Sequence, residues 1–216
     1  MHRRILAICI AALVSSGCAT MKQSDTARTG IEQLLVSSAV DRSLDKMDFR
    51  SITGAKVYVE QKYLDCVDKN YVLVSLHQRL LKNGCTLVEK PEESDVVLEV
   101  GSGGVGTDRQ ELFVGIPEIT LPFPMSLSLP KVPFFDRQRS NGTAKLAVVA
   151  YDTKSRNPVL NSGSMLARSD HKSWNVLGTG HVVTGNVPDE LARATGESES
   201  LVSIPTVATA RPSTAR

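Results

Sequence analysis

No charge of one sign dominates this chain. It carries 25 Lys and Arg against 23 Asp and Glu, and residues 1–17 hold two of the basic residues and no acid, so from Cys18 onward the two signs balance at 23 each. A nucleic-acid partner needs a basic excess to neutralise phosphates, and that footprint is missing. Long hydrophobic runs are missing too. The apolar stretch Ile5–Val14 spans about 15 Å as a helix, half of the roughly 30 Å a membrane crossing requires. Histidine is scarce: besides His2 the chain has His77, His171 and His181, with no H-E-x-x-H and, around His171 and His181, no Cys or carboxylate at metal-ligand spacing, so no metal is expected. There is no G-x-S-x-G elbow for Asp170-His171 to serve with Ser162 or Ser164, and no catalytic residue is assigned. Tryptophan is reduced to Trp174, which reads as a core anchor.

The first eighteen residues, MHRRILAICIAALVSSGC, combine Arg3 and Arg4, a short apolar region and small residues, the pattern of a secretory signal spanning 1–17. Ser15-Ser16-Gly17-Cys18 resembles a bacterial lipobox, with Ser where the pattern usually carries Leu. The resemblance implies that Cys18 is the lipid attachment site. Two or more acyl chains anchor stably, because each buried CH₂ contributes about 0.8 kcal/mol and one chain alone is marginal. Ala19, in place of the Asp that commonly marks inner-membrane retention in the Gram-negative families this resembles, implies an outer-membrane lipoprotein facing the periplasm, with palmitate among its modifications.

Residues 18–28 are short and polar, a tether. An α+β domain over 29–188 is expected after it, one mixed and mainly antiparallel sheet with two helices. Thr29 and Glu32 have capping-box spacing, and Ile31, Leu35, Val40, Leu44 and Met47 recur helically. Ala55–Leu64 reads as a strand. Asp68 precedes a second helix, with Val72, Leu73, Leu76, Leu80 and Leu81 on one face, His77 at its rim and Gly84 past its end. Cys85–Glu89 and Asp95–Val100 read as strands joined by a hairpin return, and Thr143–Tyr151, Val159–Arg168 and Trp174–Thr184 as a meander with a polar turn at Ser169–Lys172. Residues 189–216 carry too little apolar area to offset ordering entropy and are expected to be disordered. The helix between Cys66 and Cys85 holds its flanks about 21 Å apart, which argues against a disulfide despite an oxidising compartment.

Gly101, Gly103 and Gly106 spell G-x-G-x-x-G after the apolar run Val96–Val100. A dinucleotide site needs a long helix next and an acid about twenty residues on. Thr107 can cap Asp108–Val114, but Gly115 and Pro117 stop such a helix after about two turns, and the acid position falls near Leu121. The glycines instead let a strand bend or bulge as it leaves the sheet, and no cofactor is expected. The proline-rich arm, 115–139, follows. Within it Ile119, Leu121, Phe123, Met125, Leu127 and Leu129 alternate with Thr, Pro or Ser, the period of an extended strand, yet Pro122, Pro124 and Pro130 cannot donate to a ladder. This apolar face either packs back over the domain's own sheet or serves as an arm for an envelope protein partner or the membrane surface.

At TARTGIEQLLVSSAVDRSLDKMDF (residues 26–49), joined to the lipobox and to GAKVYVEQKYL (54–64), the chain resembles a family of bacterial envelope lipoproteins with a domain of unknown function, over about residues 25–187. The resemblance brings no catalytic residues. The expected function is a lipid-anchored, periplasm-facing, non-catalytic binding or assembly module. The competing class is a periplasmic hydrolase whose cleft the sequence does not display.

Overall fold

The computed structural model describes residues 27–121, 127–176 and 179–195, with the side chains of 120–129 and 177–181 outside the description. The signal segment and Cys18 therefore lie outside the described residues, as do Phe123 and Met125. Contacts divide the chain at Gly30, and the architecture below is that of the unit from Ile31 onward.

Helix α1, Gly30–Leu44, buries Leu35, Val36, Ala39, Val40 and Leu44, spaced three and four apart so that they share one face. Helix α2, Lys69–Lys82, buries Val72, Leu76 and Leu80 one turn apart; Leu81, expected on that face, is exposed, because it lies a step around the helix from Leu80. The end of α2 is set by Gly84 at φ 77°, where the Gly84 N–H meets Leu81 O at 2.9 Å and the Cys85 N–H meets Leu80 O at 3.1 Å. That pair of bonds is a Schellman cap, and only glycine adopts this φ without steric cost.

The main sheet has six strands in the order β2-β1-β3-β6-β7-β8: β1 Lys56–Glu60, β2 Thr86–Val88, β3 Val96–Ile116, β6 Val132–Asp152, β7 Pro158–Val176 and β8 Thr179–Thr184. Strand β1 pairs in parallel with both β2 and β3, and the other three pairings are antiparallel. The class is α+β, as expected. The hairpin return between β2 and β3 is not there: Val57 is flanked by Leu87 on one side and Val96 on the other, so the two strands sit on opposite sides of β1 and run the same way. A fully buried Val57 explains the preference, since an inserted central strand excludes water from both of its edges.

Both helices contribute to one core with the sheet, which includes Val36, Val40 and Leu44 of α1, Leu76 and Leu80 of α2, and Leu98, Leu146 and Val148 from the strands. On β6 the residues Ala144, Leu146, Val148 and Ala150 are buried while Lys145 and Val149 are exposed, the alternation of a sheet covered on one face. Helix α1 lies against β6 and β7. Ser43 donates to Met165 O at 2.8 Å, Lys46 Nζ to Leu166 O at 2.6 Å and Ser169 to Leu35 O at 2.6 Å. Gly142 makes the approach possible, because a Cβ there would collide with the Leu35 carbonyl oxygen and the Ser169 hydroxyl.

Four further expectations are corrected. Strand β3 does not leave the sheet at its glycines and no helix forms over 108–114; the strand bulges between Ser102 and Gly104 and continues, paired with β6, to Ile116. Ser169–Lys172 is not a turn but the middle of β7, held by β6 on one side. The arm is not one strand: β4 Ile119–Leu121 pairs antiparallel with β5 Leu127–Leu129 as a separate two-stranded sheet, with Pro122 and Pro124 between them unable to extend a ladder. Finally, a third helix, α3 Asn186–Thr195, enters the segment expected to be disordered. It is fixed by buried Val187, by an Arg42–Glu190 ion pair at 2.6 Å, and by Asn186, which exchanges hydrogen bonds with Asp170. The residues after 195 lie outside the described ones.

Candidate interaction surface

Among the described residues β3 has no strand partner on its β1 side beyond Glu99, so β3, β6, β7 and β8 continue as a four-stranded ribbon, uncovered on one face and with Ser140, His171 and Ser173 buried on the other. Register gives each face its character. One rung joins Val114, Phe135 and Val176, the next Leu112, Arg137, Trp174 and Val182, and a third Gln110, Arg139, Lys172 and Thr184. Directly paired residues share a face. This face is therefore apolar toward the arm and basic toward the core.

The opposite face is polar, with rungs of Phe113, Asp136 and Asn175, then Glu111, Gln138 and Ser173, then Arg109, Ser140 and His171. On it Arg109 donates to Gln138 at 3.0 Å, Lys131 meets Glu111 at 3.3 Å, and the same ammonium stands 4.0 Å from the Phe113 ring centre. Lys131 thus covers the Phe113 ring.

Exposed apolar residues gather at the far end of the ribbon. Leu112, Val114 and Ile116 on β3, Val132 and Phe134 on β6, and Trp174 and Val176 on β7 are each at least 40% exposed. Contiguous exposed apolar area of this kind marks interaction sites. Ile119, the first of the alternating apolar residues of the predicted arm, is 41% exposed and continues the series. Leu121, Leu127 and Leu129 occupy ladder positions in β4 and β5, where Ile119 faces Leu129 and Leu121 faces Leu127 in register. Trp174 is not the core anchor expected of it, since its register beside Arg137 puts it on the uncovered face. A shallow depression of about 330 Å³ lies on the ribbon, lined by Gln110, Glu111, Leu112, Arg137 and Arg139.

The signal for this surface was present in the sequence as alternation of Leu112, Val114 and Ile116, and was masked by Phe113 between them and by the helix-like spacing of Thr107 and Gln110.

The residues that suggested chemistry are not brought together. Asp170 sits in β7, where burial opposes its ionisation, but Lys172 at 2.7 Å and the Asn186 N–H outweigh that and hold its pKa below the ordinary carboxylate value. Ser162 donates to Val148 O at 2.9 Å, eight residues along the same strand from Asp170 and on the order of 25 Å away. His77 is half-buried on α2, and burial lowers its pKa, as a rim histidine requires. Cys66 and Cys85 are free thiols at opposite ends of α2, each raised in pKa chiefly by burial. Among the described residues no three His, Cys, Asp or Glu side chains are grouped to hold a metal. Gly101, Gly103 and Gly106 all lie within β3.

One polar cluster joins α1 to α2. Asp41 accepts from the Tyr71 hydroxyl at 2.7 Å and from the Ser75 hydroxyl, while Arg79 bridges Asp41 and Asp45. Burial first, and then the Asp41 carboxylate, push the Tyr71 phenol up to about 12. Every member is engaged within the cluster, which locks the two helices together.

The chain belongs to a family of unknown function, DUF6655, whose model matches residues 12–208. Comparison with curated proteins gives no match. Among the described residues no helix is long and apolar enough to cross a membrane.

Proposed function

We propose that this protein is a lipid-anchored lipoprotein of the bacterial envelope, attached through Cys18 to the outer membrane and facing the periplasm, where it acts as a non-catalytic binding or assembly module. The observation that carries the binding role is the far end of the ribbon, where exposed Leu112, Val114, Ile116, Phe134 and Trp174 run on toward the Ile119–Leu129 arm. A surface that is apolar on one face and polar on the other suits contact with a partner better than solvent. The anchoring role rests on the small residues ahead of Cys18 and the signal-like segment before them.

The test has two arms. Full-length protein expressed with labelled palmitate should incorporate label and sediment with membranes, and Cys18→Ser should abolish both. A chain that starts at another residue, carries no acyl group and is released by salt defeats the anchoring claim. Deleting Ile119–Pro130 should leave membrane attachment and Tm unchanged while removing cross-links to envelope proteins in intact cells. A fall in Tm instead means that the arm is part of the domain's own packing.

A further inference from the structure

We infer that the open edge of β3 is a self-association site, where two copies of this chain pair antiparallel about Gln110 and join their ribbons into one sheet. The inference goes beyond the binding role proposed above by naming the partner as a second copy and the edge, rather than the arm, as the contact.

The open stretch is long and sharply bounded. Ser102 is still closed off by the loop after β1, through its N–H to Tyr63 O at 3.2 Å and its hydroxyl to Asp65 O at 2.9 Å. Among the described residues the backbone ladder of Gly104 to Ile116 runs only to β6, and Thr107 through Leu112 are exposed without interruption. Edges of this length are templates for another strand unless they are guarded. The other edges are shorter or partly covered: β2 has three residues, β8 has six, and where β7 runs on past β8 its Met165 and Leu166 carbonyls accept from Ser43 and Lys46.

The charges on β3 select a register instead of forbidding pairing. Gln110 is the midpoint of Gly104–Ile116, so a two-fold axis there pairs the whole stretch. It sets Arg109 opposite Glu111 of the second copy and Glu111 opposite its Arg109, on the polar face. Both side chains are about half exposed and stand 4.0 Å apart within one copy, and pairing across the edge exchanges the exposed Gln138 contact of Arg109 and the Lys131 contact of Glu111 for the new ion pairs. Sliding by one residue would put Asp108 opposite Glu111, a like-charge contact that opposes pairing.

The same register accounts for Gly104 and Gly106. Gly104 falls opposite Ile116 and Gly106 opposite Val114, so these two aliphatic side chains meet positions with no side chain; Gly115, opposite Val105, is required within one copy, where a Cβ would collide with the Val132 carbonyl oxygen. A glycine offers room for a neighbouring strand's side chain to lie over bare backbone. At Gly104 and Gly106 the space a Cβ would occupy is empty within one copy. Of the three glycines that imitate a nucleotide turn, Gly106 alone falls within this self-complementary edge. The interface is isologous, as a two-fold dimer requires.

The experiment uses the full chain in native membranes and in mild detergent. Gln110→Cys should cross-link to a dimer under oxidation, because directly opposed residues in an antiparallel pair have Cα atoms about 4.5–5.5 Å apart, within disulfide reach. Wild type, whose own cysteines the Gln110→Cys variant retains, should not. Arg109→Glu should weaken dimerisation at least tenfold by mass photometry, and Arg109→Glu with Glu111→Arg should restore it, which no merely local effect on folding would do. A chain that stays monomeric at every concentration, a double variant that fails to recover, or cross-linking at Gly106→Cys in place of Gln110→Cys overturns the inference; so does dimerisation seen only with lipid vesicles, which would assign the ribbon to the bilayer. Cys18→Ser protein, freed of any anchor, should still dimerise, so failure here and failure of lipid anchoring are told apart.

Discussion

Replacing Gly142 by alanine tests the docking of α1 on the sheet. Gly142 faces the helix from β6, and a Cβ there would fall well inside contact distance of the Leu35 carbonyl oxygen and the Ser169 hydroxyl. The first obstacle is backbone inside a helix, so α1 must shift as a body. Overpacking of this kind costs about 1–3 kcal/mol. The shift also stretches the 2.6 Å bond from Ser169 to Leu35 O, a buried bond whose loss costs about 1 kcal/mol. Together the penalty is about 2–4 kcal/mol. At about 2–4 °C per kcal/mol for a domain of this size, Tm should fall by about 5–15 °C in a calorimetric scan of the full chain. Gly106→Ala is the internal control. It lies in β3 one residue from Gly142's ladder partner Thr107, but nothing stands within 4 Å of its would-be Cβ, so its Tm should move by no more than about 2 °C. If Gly142→Ala melts within 2 °C of wild type, α1 does not approach β6 at this point and the core is drawn wrongly.

Two further outcomes follow from charge. Of the four tyrosines, Tyr71 should ionise last in an alkaline absorbance titration, near pH 12, and Tyr71→Phe should remove that late phase; because its folded pKa lies above the ordinary value of 10, its contribution to stability is complete below pH 10 and is lost as pH rises toward 12. Asp170 has the opposite sign: its folded pKa is below 3.8, so its contribution is present above that value and is lost as pH falls through the folded pKa. Asp170→Asn should therefore lower the unfolding free energy from urea titration at pH 7 by an amount on the order of 0.5–1 kcal/mol, and the gap to wild type should narrow as pH falls below 3.8.

The two helices that build the core were legible because their signals are local. A period of three to four and a glycine after the last turn are enough to place α2 within a residue or two, and its Leu76 and Leu80 are indeed in the core. The partners of strands are not local. Nothing in Cys85–Val100 says that β1 will insert between β2 and β3, since that choice is made by burying Val57 from both sides. The length of β3 was hidden for a different reason: glycine is a poor strand former by propensity, and Gly103, Gly104 and Gly106 read as an ending. Twenty register partners on β6 override that preference. Trp174 failed as a core marker because its neighbours across the ladder, Arg137 and Val182, belong to a face no helix covers.

The division of labour in the fold follows from where α1 and α2 stop. They cover β1, the first third of β3 and the middle of β6 and β7, and the apolar side chains there are spent on the core. Past that cover the same strands go on, and their alternation persists without a layer to receive it. A ribbon that must be soluble needs polar residues on both faces, as Gln110, Arg139 and Lys172 provide on one and Arg109, Ser140 and His171 on the other at the end nearer the core. Farther out, Val114, Phe135 and Val176 occupy one rung, and Ile116 is paired with Val132. The polar character therefore fails at the end farthest from the core, where neither stability nor solubility of a lone copy calls for aliphatic and aromatic side chains. Their presence there is the physical reason to look for the protein's work at the ribbon and not among its scattered histidines and serines.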